Sequence, residues 1–476
     1  MRIPQGVRLK GVPDLRCRGR ADRPCLGSLL LLAASWLITA EVTHARDPWR
    51  LSDRLPERIS LSVEHRTRFE HNDEQYDVGR SGDESVLIFR TLVDGRFSLS
   101  DHLTVGAELQ DSRTIYRNDT KLGTDIVNAV ELLRAYVELE MSEMWGGTLT
   151  TQVGRITMNV GSRRLVARSR FRNTINAFNG VDLRWKTSDD AELRAFWTMP
   201  LKRQPAQERR LRDNDVVFDR ESLDVQLWGV FAGADLERIG RGELYTFGLH
   251  EDSTNDGRTR NRILYTPGFR ISRPPAPGRL DYELETVFQT GRSRASTSSN
   301  QTLTHFAHFH HAEVGYSFDA RWSPRVVLQY DYASGDDKPG DGNNERFDTL
   351  FGARRFEYGP TGIYGAFARS NINTPGIRIQ LEPMSWLQGF LAYRAFWLAS
   401  DRDAWTTTGL RDPRGKSGSF VGSQLEFRIR WKLLPGNLML ETGYAHLFAG
   451  EFIKDAPNAS HRGNSNYGYS QVVVTF

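Results

Sequence analysis

Residues 422–433 read GSQLEFRIRWKL, a stretch in which apolar and charged side chains alternate strictly. The apolar residues are Leu425, Phe427, Ile429 and Trp431, and the charged ones are Glu426, Arg428, Arg430 and Lys432. A helix does not keep a period of two, so the pattern predicts a β-strand with one apolar and one charged face. Its length exceeds that of most soluble strands and suits a tilted strand that crosses a bilayer in about 9–11 residues.

The same alternation recurs along the chain, for example in RISLSVEHRTRFE (58–70) and ELLRAYVELE (131–140). The predicted segments lie near 58–70, 86–99, 102–113, 129–141, 148–157, 179–187, 191–199, 222–233, 243–252, 262–272, 280–290, 308–318, 325–334, 374–382, 386–399, 420–433, 437–449 and 466–476. Short and long polar connections alternate between them. We therefore predict an all-β protein, a transmembrane antiparallel β-barrel of 18 strands with long extracellular loops and short periplasmic turns.

Other membrane and soluble architectures fit the sequence less well. Beyond residue 45 no run of about 20 apolar residues remains, which argues against a helical membrane protein. The mean hydropathy of −0.51 suits a barrel, because half of each strand faces a polar lumen. A soluble sandwich or propeller is the alternative, but the segments are long and show no repeat at blade period.

The first 45 residues are typical of a secretory signal peptide. A basic region precedes the apolar run LGSLLLLAASWLITA (26–40), and cleavage is expected after Ala45. We predict a signal peptide at 1–45, a short periplasmic segment at 46–57 and one barrel domain at 58–476. The last segment, SNYGYSQVVVTF, ends in Phe476 and resembles the C-terminal signature of outer-membrane barrels. The predicted location is thus the cell outer membrane of a Gram-negative bacterium, with lipid around the barrel.

Charge and cysteine content narrow the functional classes. The signal segment holds 7 of the 63 basic and 3 of the 59 acidic residues, which leaves 56 of each and no net charge. A protein that coats nucleic acid is disfavoured by this balance. Both cysteines lie before residue 45, and a mature chain without cysteine suits an oxidising envelope.

Charged residues in phase with the polar face should point into the lumen, because charge on the lipid face is costly. Arginines are the candidate pore-lining residues: Arg66, Arg68, Arg90, Arg134, Arg155, Arg184, Arg394, Arg428 and Arg430 on strands, and Arg164, Arg168 and Arg172 in the connection 158–178. The candidate lumen acids are Glu64, Glu138, Glu283 and Glu426. Two interpretations stay open: a self-paired ladder that supports the lumen, or a constriction whose unpaired arginines attract an anion.

Catalytic and metal motifs are weak. The chain contains no G-x-S-x-G and no H-E-x-x-H, so no enzyme is expected. The histidines of HFAHFHHAE (305–313) would divide between the two faces of a strand, which disfavours a zinc site. Asp336, Asp337 and Asp341 form a weak calcium candidate whose spacing departs from the EF-hand pattern.

Three segments resemble one family. GRITMNVGSRRLVARSRFRNTINAFNGVDL (154–183) is similar to a G-R…G-S-x-R-L-V-x-R…R-N-T…F-[DN]-G-V block, YDYASGDDKPGDGNNERFDTLF (330–351) to a D-Y-A-S-G-D…F-D-x-L-F block, and 58–70 to a first strand with repeated arginine. The resemblance is to the alginate export porins of Gram-negative outer membranes. The matching motif residues are Gly161, Ser162, Asn173, Thr174, Asp331, Tyr332, Ser334, Gly335, Asp336, Phe347 and Asp348.

The resemblance implies a monomeric barrel of eighteen strands with an arginine-rich, electropositive pore for an anionic polysaccharide such as alginate. It implies no cofactor, and a periplasmic secretion scaffold as a partner. The expected function is passive export of such a polyuronate. The alternatives are a general or anion-selective porin for small solutes or oligosaccharides, a barrel enzyme acting on lipid or polysaccharide, and a surface adhesion barrel.

Overall fold

Antiparallel strands make up most of the chain in a computed structural model, which describes residues 47–116, 121–253 and 257–476. The strands are β1 (Ile59–Asn72), β2 (Glu84–Ser98), β3 (Leu103–Tyr116), β4 (Asn128–Met144), β5 (Gly147–Ile156), β6 (Phe178–Thr187), β7 (Glu192–Pro200), β8 (Val225–Asp235), β9 (Arg241–Glu251), β10 (Ile263–Arg273), β11 (Arg279–Arg294), β12 (Thr302–Ser317), β13 (Arg325–Ala333), β14 (Asn343–Asn344), β15 (Ile372–Met384), β16 (Leu387–Trp397), β17 (Phe420–Leu434), β18 (Leu438–Ala449) and β19 (Ser465–Thr475). The predicted signal peptide lies outside the described residues.

The sheet closes on itself. β1 pairs with β2 on one side and with β19 on the other, from Glu64 opposite Thr475 to Asn72 opposite Tyr467. The two-residue β14 pairs in parallel with β12 and is not a wall strand, since β13 pairs directly with β15. The wall therefore has 18 antiparallel strands, and the predicted strand number is confirmed.

Connections at the two ends of the barrel differ in length, as predicted. The turns at one end are short, for example residues 145–146 between β4 and β5. The loops at the other end carry the short helices α1 (Glu208–Arg212), α2 (Arg355–Tyr358) and α3 (Glu451–Asp455). Among the described residues that precede β1, Leu51–Arg54 form a 3-10 turn. Among the described residues, no helix has the length and apolar character needed to span a bilayer.

Each strand separates apolar from charged side chains. On β17, Leu425 and Ile429 are exposed on the outer surface, whereas Glu426 on the opposite face is buried. Leu109, Val230, Leu244 and Leu328 repeat this outward exposure around the barrel. In water such a surface would be unfavourable, but in a membrane it faces lipid tails, so the outer face is the lipid-contacting face.

Two loops fold inward and contact the lumen wall. We call residues 157–177, between β5 and β6, the arginine loop, and residues 334–371, between β13 and β15, the long loop. Their apolar residues Val166, Phe347 and Phe367 are almost fully buried in a core inside the barrel. The loops rather than the wall alone therefore determine which polar groups meet in the lumen.

Candidate functional site: the charged lumen

Arginines of β1 and β2 hold the arginine loop by its backbone. Arg66 donates to the carbonyl oxygens of residues 170, 171 and 172 at 2.7, 3.2 and 3.1 Å. Arg90 donates to carbonyls 170 and 172 at 2.9 and 3.0 Å, and Arg68 to carbonyl 171 at 2.6 Å. These three arginines, predicted to line the pore, therefore use several of their N–H groups to bind the loop. They point toward it because side chains alternate between the two faces of β1 and β2.

Arg164 lies at the opposite wall among three carboxylates. Its Nη1 contacts Glu283 and Glu285 of β11, the latter at 2.5 Å, and its Nε contacts Glu357 of α2. Only 4% of the side chain is exposed. Ser162 adds a hydrogen bond to Glu285 at 3.0 Å. A buried guanidinium with three carboxylate partners, of which Glu285 and Glu357 are buried too, is a structural anchor of the loop.

The other two arginines predicted in this loop differ from each other. Arg168 makes a two-pronged contact with Glu108 of β3, at 2.6 and 2.9 Å. Arg172 is half-buried, and within the described residues its side chain has no hydrogen-bond or ion-pair partner. The dense arginine stretch is therefore not one cationic patch, because its members have separate environments.

The arginine loop and the long loop join by backbone hydrogen bonds. The Phe351 amide donates to the Leu165 carbonyl at 2.9 Å, and the Ala167 amide donates to the Phe351 carbonyl at 3.1 Å. A third bond runs from the Ala353 amide to carbonyl 163 at 3.0 Å. A Cβ on Gly352 would lie 1.7 Å from the Arg164 carbonyl oxygen, so only glycine permits this approach.

Most family-motif residues of the first block contact the protein backbone or neighbouring side chains of the barrel. Asn173 accepts from Arg66 at 2.9 Å and donates to the carbonyls of residues 89 and 126 at 3.1 and 2.8 Å. Thr174 donates to carbonyl 124 at 2.8 Å. Gly161 has φ +48° and packs beside Phe231 of β8. These contacts fix the path of the arginine loop against β2 and the β3–β4 loop.

The second block supports the base of the long loop. Asp331 accepts from His311 and from Arg394, each at 2.7 Å. The Ser334 hydroxyl donates to the Glu345 carbonyl at 2.6 Å. Gly335 packs against Asn371, and Phe347 is buried beside Phe309. Asp348 forms an ion pair with Arg262 at 2.8 Å. Tyr332 faces outward, where its ring stacks on His308.

Most remaining candidates form ion pairs with other side chains of the barrel wall or of the long loop. The pairs are Arg134 with Asp94 at 3.2 Å, Arg155 with Glu131 at 2.7 Å, Arg184 with Asp182 at 3.7 Å, Arg430 with Glu441 at 2.6 Å, Glu64 with Arg90 at 2.8 Å, Glu283 with Arg270 at 2.8 Å, and Glu426 with Arg355 at 2.6 Å. Glu138 accepts from Gln152 at 2.5 Å. Arg428 contacts the ring of Phe390 instead.

Metal-ligating groups converge at a place that the sequence did not indicate. Ligand atoms of His311, Asp331 and Glu357 lie within 4.8 Å of one another, but the carboxylates are already bonded to Arg394, Arg164 and Arg369. These arginines make the cluster an ion-pair network rather than an open cation site.

The calcium candidates lie in the same long loop. Within the described part of the chain, Asp336, Asp337 and Asp341 do not form such a converging group. Burial, and next the nearby Asp403 carboxylate, raise the pKa of Asp336 to about 6. A carboxyl group that protonates near neutrality is a poorer cation ligand than an ordinary aspartate.

A cavity of about 500 Å³ lies among the loops and is lined largely by the long loop. Its cationic lining residues are Lys121, Arg260, Arg346 and Arg354, and its acidic ones are Asp77, Asp125 and Asp348. Arg354 and Glu357 were not predicted as site residues, because loop residues have no strand phase from which a direction can be derived.

Comparison with known proteins agrees with this geometry. The sequence profile of the alginate export family matches residues 57–466. The chain belongs to the alginate export family. A comparison with curated protein sequences finds no match.

Several solved structures are similar in fold to this alginate export family member. OccAB1 of Acinetobacter baumannii has 12% identity and a TM-score of 0.57, covering 92% of this chain and 99% of its own. OccD3 (OpdP) of Pseudomonas aeruginosa has 10% identity and a TM-score of 0.55, with coverages of 91% and 95%. OpdK of the same organism has 11% identity and a TM-score of 0.55, with coverages of 88% and 98%. At these identities the likeness shows the fold.

Family and fold together make this protein an outer-membrane β-barrel of the porin type. The family and the fold support a porin-type export channel. The predicted fold class and location are confirmed. The roles of the individual arginines stay predictions.

Proposed function

We propose that this channel passively exports an anionic exopolysaccharide of the polyuronate type. The observation that supports this most directly is the distribution of guanidinium groups on the lumen face. They project inward from strands around the barrel: Arg66 and Arg68 of β1, Arg90 of β2, Arg134 of β4, Arg155 of β5, Arg194 of β7, Arg270 of β10, Arg378 of β15, Arg394 of β16, and Arg428 and Arg430 of β17.

A polyuronate matches this lumen chemically. Each sugar carries a carboxylate, and the planar guanidinium fork binds a carboxylate through two parallel hydrogen bonds. Lumen acids such as Glu138 and Glu426 compete for the same forks. Several weak, exchanging contacts allow a chain to keep moving, whereas one tight site would hold it.

Planar-bilayer conductance of the purified protein tests this proposal. We expect anion selectivity in KCl and a concentration-dependent block by added polyuronate, with no block by a neutral polysaccharide of equal length. The matched control is wild-type protein with a neutral glucan. Cation selectivity, or a current that polyuronate leaves unchanged, would contradict the proposal.

An anion-selective porin for small solutes is the second candidate. The loop cavity supports it, because about 500 Å³ accommodates a small carboxylate or a short oligosaccharide and its lining includes four cationic side chains. Liposome swelling separates the two candidates. Rapid entry of galacturonate, together with block but no passage of the long polymer, would favour the small-solute porin.

A further inference from the structure

We propose that Arg378 and Arg428, aligned by Phe390, form a carboxylate-binding site on the lumen wall, at the turn side of the long loop. The site takes the uronate groups of a polymer that enters from the periplasmic end. This inference rests on the proposed function and adds to it which residues contact the substrate there, a role that the motif arginine Arg164 does not have.

The three residues converge from adjacent strands. In the sheet register Phe390 of β16 lies opposite Arg428 of β17 and opposite Gln380 of β15, and Arg378 lies two residues from Gln380 on the same face. Phe390 is only three residues from the start of β16, which follows a short turn. The group therefore lies in the turn-side part of the lumen, below the α2 segment of the long loop.

Both guanidinium groups have N–H groups that are not engaged in hydrogen bonds within the described residues. In the described chain, no hydrogen bond or ion pair engages Arg428, and Arg378 donates once, to the Phe356 carbonyl at 2.9 Å. The Nε atoms of both are buried without a partner. Both residues are only half-buried, so their terminal Nη atoms, which are not among the buried unpaired atoms, can donate to a ligand carboxylate.

Nearby carboxylates are bonded to other arginines. Glu426 is held by Arg355 at 2.6 Å, and Glu441 by Arg430 at 2.6 Å. Glu441 also accepts from Tyr469 and Gln471, at 2.9 and 3.2 Å. The positive charges of Arg378 and Arg428 are therefore not balanced by a direct partner on the wall.

Phe390 explains how these two side chains stay in place without neutralisation. The guanidinium carbons of Arg378 and Arg428 lie 5.0 and 4.7 Å from the centre of its ring. A cation–π contact orients a guanidinium while it leaves the N–H groups free for an acceptor. Arg164 is the opposite case, because three glutamates already use its donors.

The test uses the Arg378→Gln/Arg428→Gln double variant and trigalacturonate as the probe. Calorimetry of the detergent-solubilised full chain should show binding about tenfold weaker or more, since two charge-assisted contacts are lost. Block by trigalacturonate added from the turn side of a bilayer should weaken in parallel. The matched control is Arg209→Gln/Arg210→Gln on exposed α1, which should bind as wild type does.

A second variant guards against misfolding. Phe390→Leu keeps both charges but removes the aromatic ring, so we expect trigalacturonate binding to weaken severalfold. In a separate pair of single variants, Arg428→Lys should bind more tightly than Arg428→Gln, because lysine keeps the positive charge. Wild-type affinity in both the double variant and Phe390→Leu would overturn the site while the proposed function stands. Failure of the wild-type protein to bind or be blocked by trigalacturonate would overturn the proposed function, and the site with it.

Discussion

At the residue scale, burial decides which arginines are available to a ligand. Arg164 is 4% exposed and contacts three carboxylates, whereas Arg428 contacts an aromatic ring and bonds to no carboxylate of the described residues. Removing one member of a buried ion pair typically costs about 3–5 kcal/mol, because the remaining charges stay desolvated. Arginines of the same lumen therefore differ in whether their donors are already bonded to carboxylates.

Arg164→Gln should destabilise the folded barrel by about 3 kcal/mol or more, since Glu283, Glu285 and Glu357 lose their shared partner. The measurement is the temperature at which the folded band is lost in a heat-modifiability gel. Arg163→Gln is the control, because the Arg163 side chain, among the described residues, contacts only the Phe356 ring, at 5.2 Å, and its backbone bonds do not depend on the side chain. Equal loss temperatures for the two variants would show that the three ion pairs contribute nothing.

Sequence phase predicts the face on which an arginine lies but not its partner. Alternation along β1 and β17 assigns Arg66, Arg68, Arg428 and Arg430 to one face of their strands. That Arg66 binds backbone carbonyls while Arg430 binds Glu441 depends on where an irregular loop runs. The alternation of apolar and polar residues along a strand does not determine the path of the arginine loop.

At the element scale, the joined loops depend on a close backbone approach. Gly352→Ala should separate the long loop from the arginine loop, because its Cβ would overlap the Arg164 carbonyl oxygen. We expect a larger single-channel conductance with an intact barrel. Gly468→Ala is the control, since a Cβ there meets nothing within 4 Å. An unchanged conductance in Gly352→Ala would show that the junction does not limit the current.

The β7–β8 loop should respond to pH through Asp219. Its carboxylate accepts from Asn128 at 2.7 Å and from the Gln204 amide at 2.8 Å. Burial, and next the Glu131 carboxylate, raise the pKa of Asp219 from 3.8 to about 7. Because the folded state binds this proton more tightly, its stabilisation is complete below about pH 4 and is lost as the pH rises through about 7.

Amide hydrogen exchange across residues 201–224 measures this effect. After correction for intrinsic rates, protection should be greater at pH 5 than at pH 8. Asp219→Asn should remove most of the difference. Protection that increases with pH in the wild-type protein would contradict the assignment to Asp219.

Strands were predictable and loops were not, for a physical reason. A strand between lipid and lumen must alternate, so β17 and its neighbours were found to within a few residues. The small β14 and the helix α2 have no such constraint. β14 pairs with Thr304 and His305 of β12, and α2 is held through the contact of Glu357 with Arg164, so both depend on partners that are distant in sequence.

At the scale of the whole molecule, the long loop should limit the current through an otherwise wide barrel. Its base is closed by a hydrogen bond from the Asn371 amide to the Ser334 carbonyl at 3.1 Å, so residues 336–370 can be replaced by a short glycine-serine linker. Conductance should rise severalfold, because the lumen loses this loop. Shortening the exposed loop 295–301 is the control, and an equal conductance in both deletions would contradict the expectation.

Fold and location followed from the sequence as a whole, whereas the site did not. Alternation, the strand count and Phe476 were sufficient for an outer-membrane barrel of eighteen strands. The lumen contents required the three-dimensional path of residues 157–177 and 334–371. The cluster around Phe390 was missed for a simpler reason: an aromatic ring between two inward arginines has no distinct sequence signature.

The arginine loop also has a mechanical consequence. It is fastened to β1 and β2 through Arg66 and Arg90, and to β11 through Arg164, strands about half a circumference apart in an 18-strand ring. A loop attached to both sides of the barrel in this way resists flattening of the barrel under lateral bilayer pressure. Spin labels on the outward faces of β1 and β10 should therefore give a narrow distance distribution that broadens in Arg164→Gln. An equally narrow distribution in the variant would show that the barrel wall is stiff without the attachment of the arginine loop to β11.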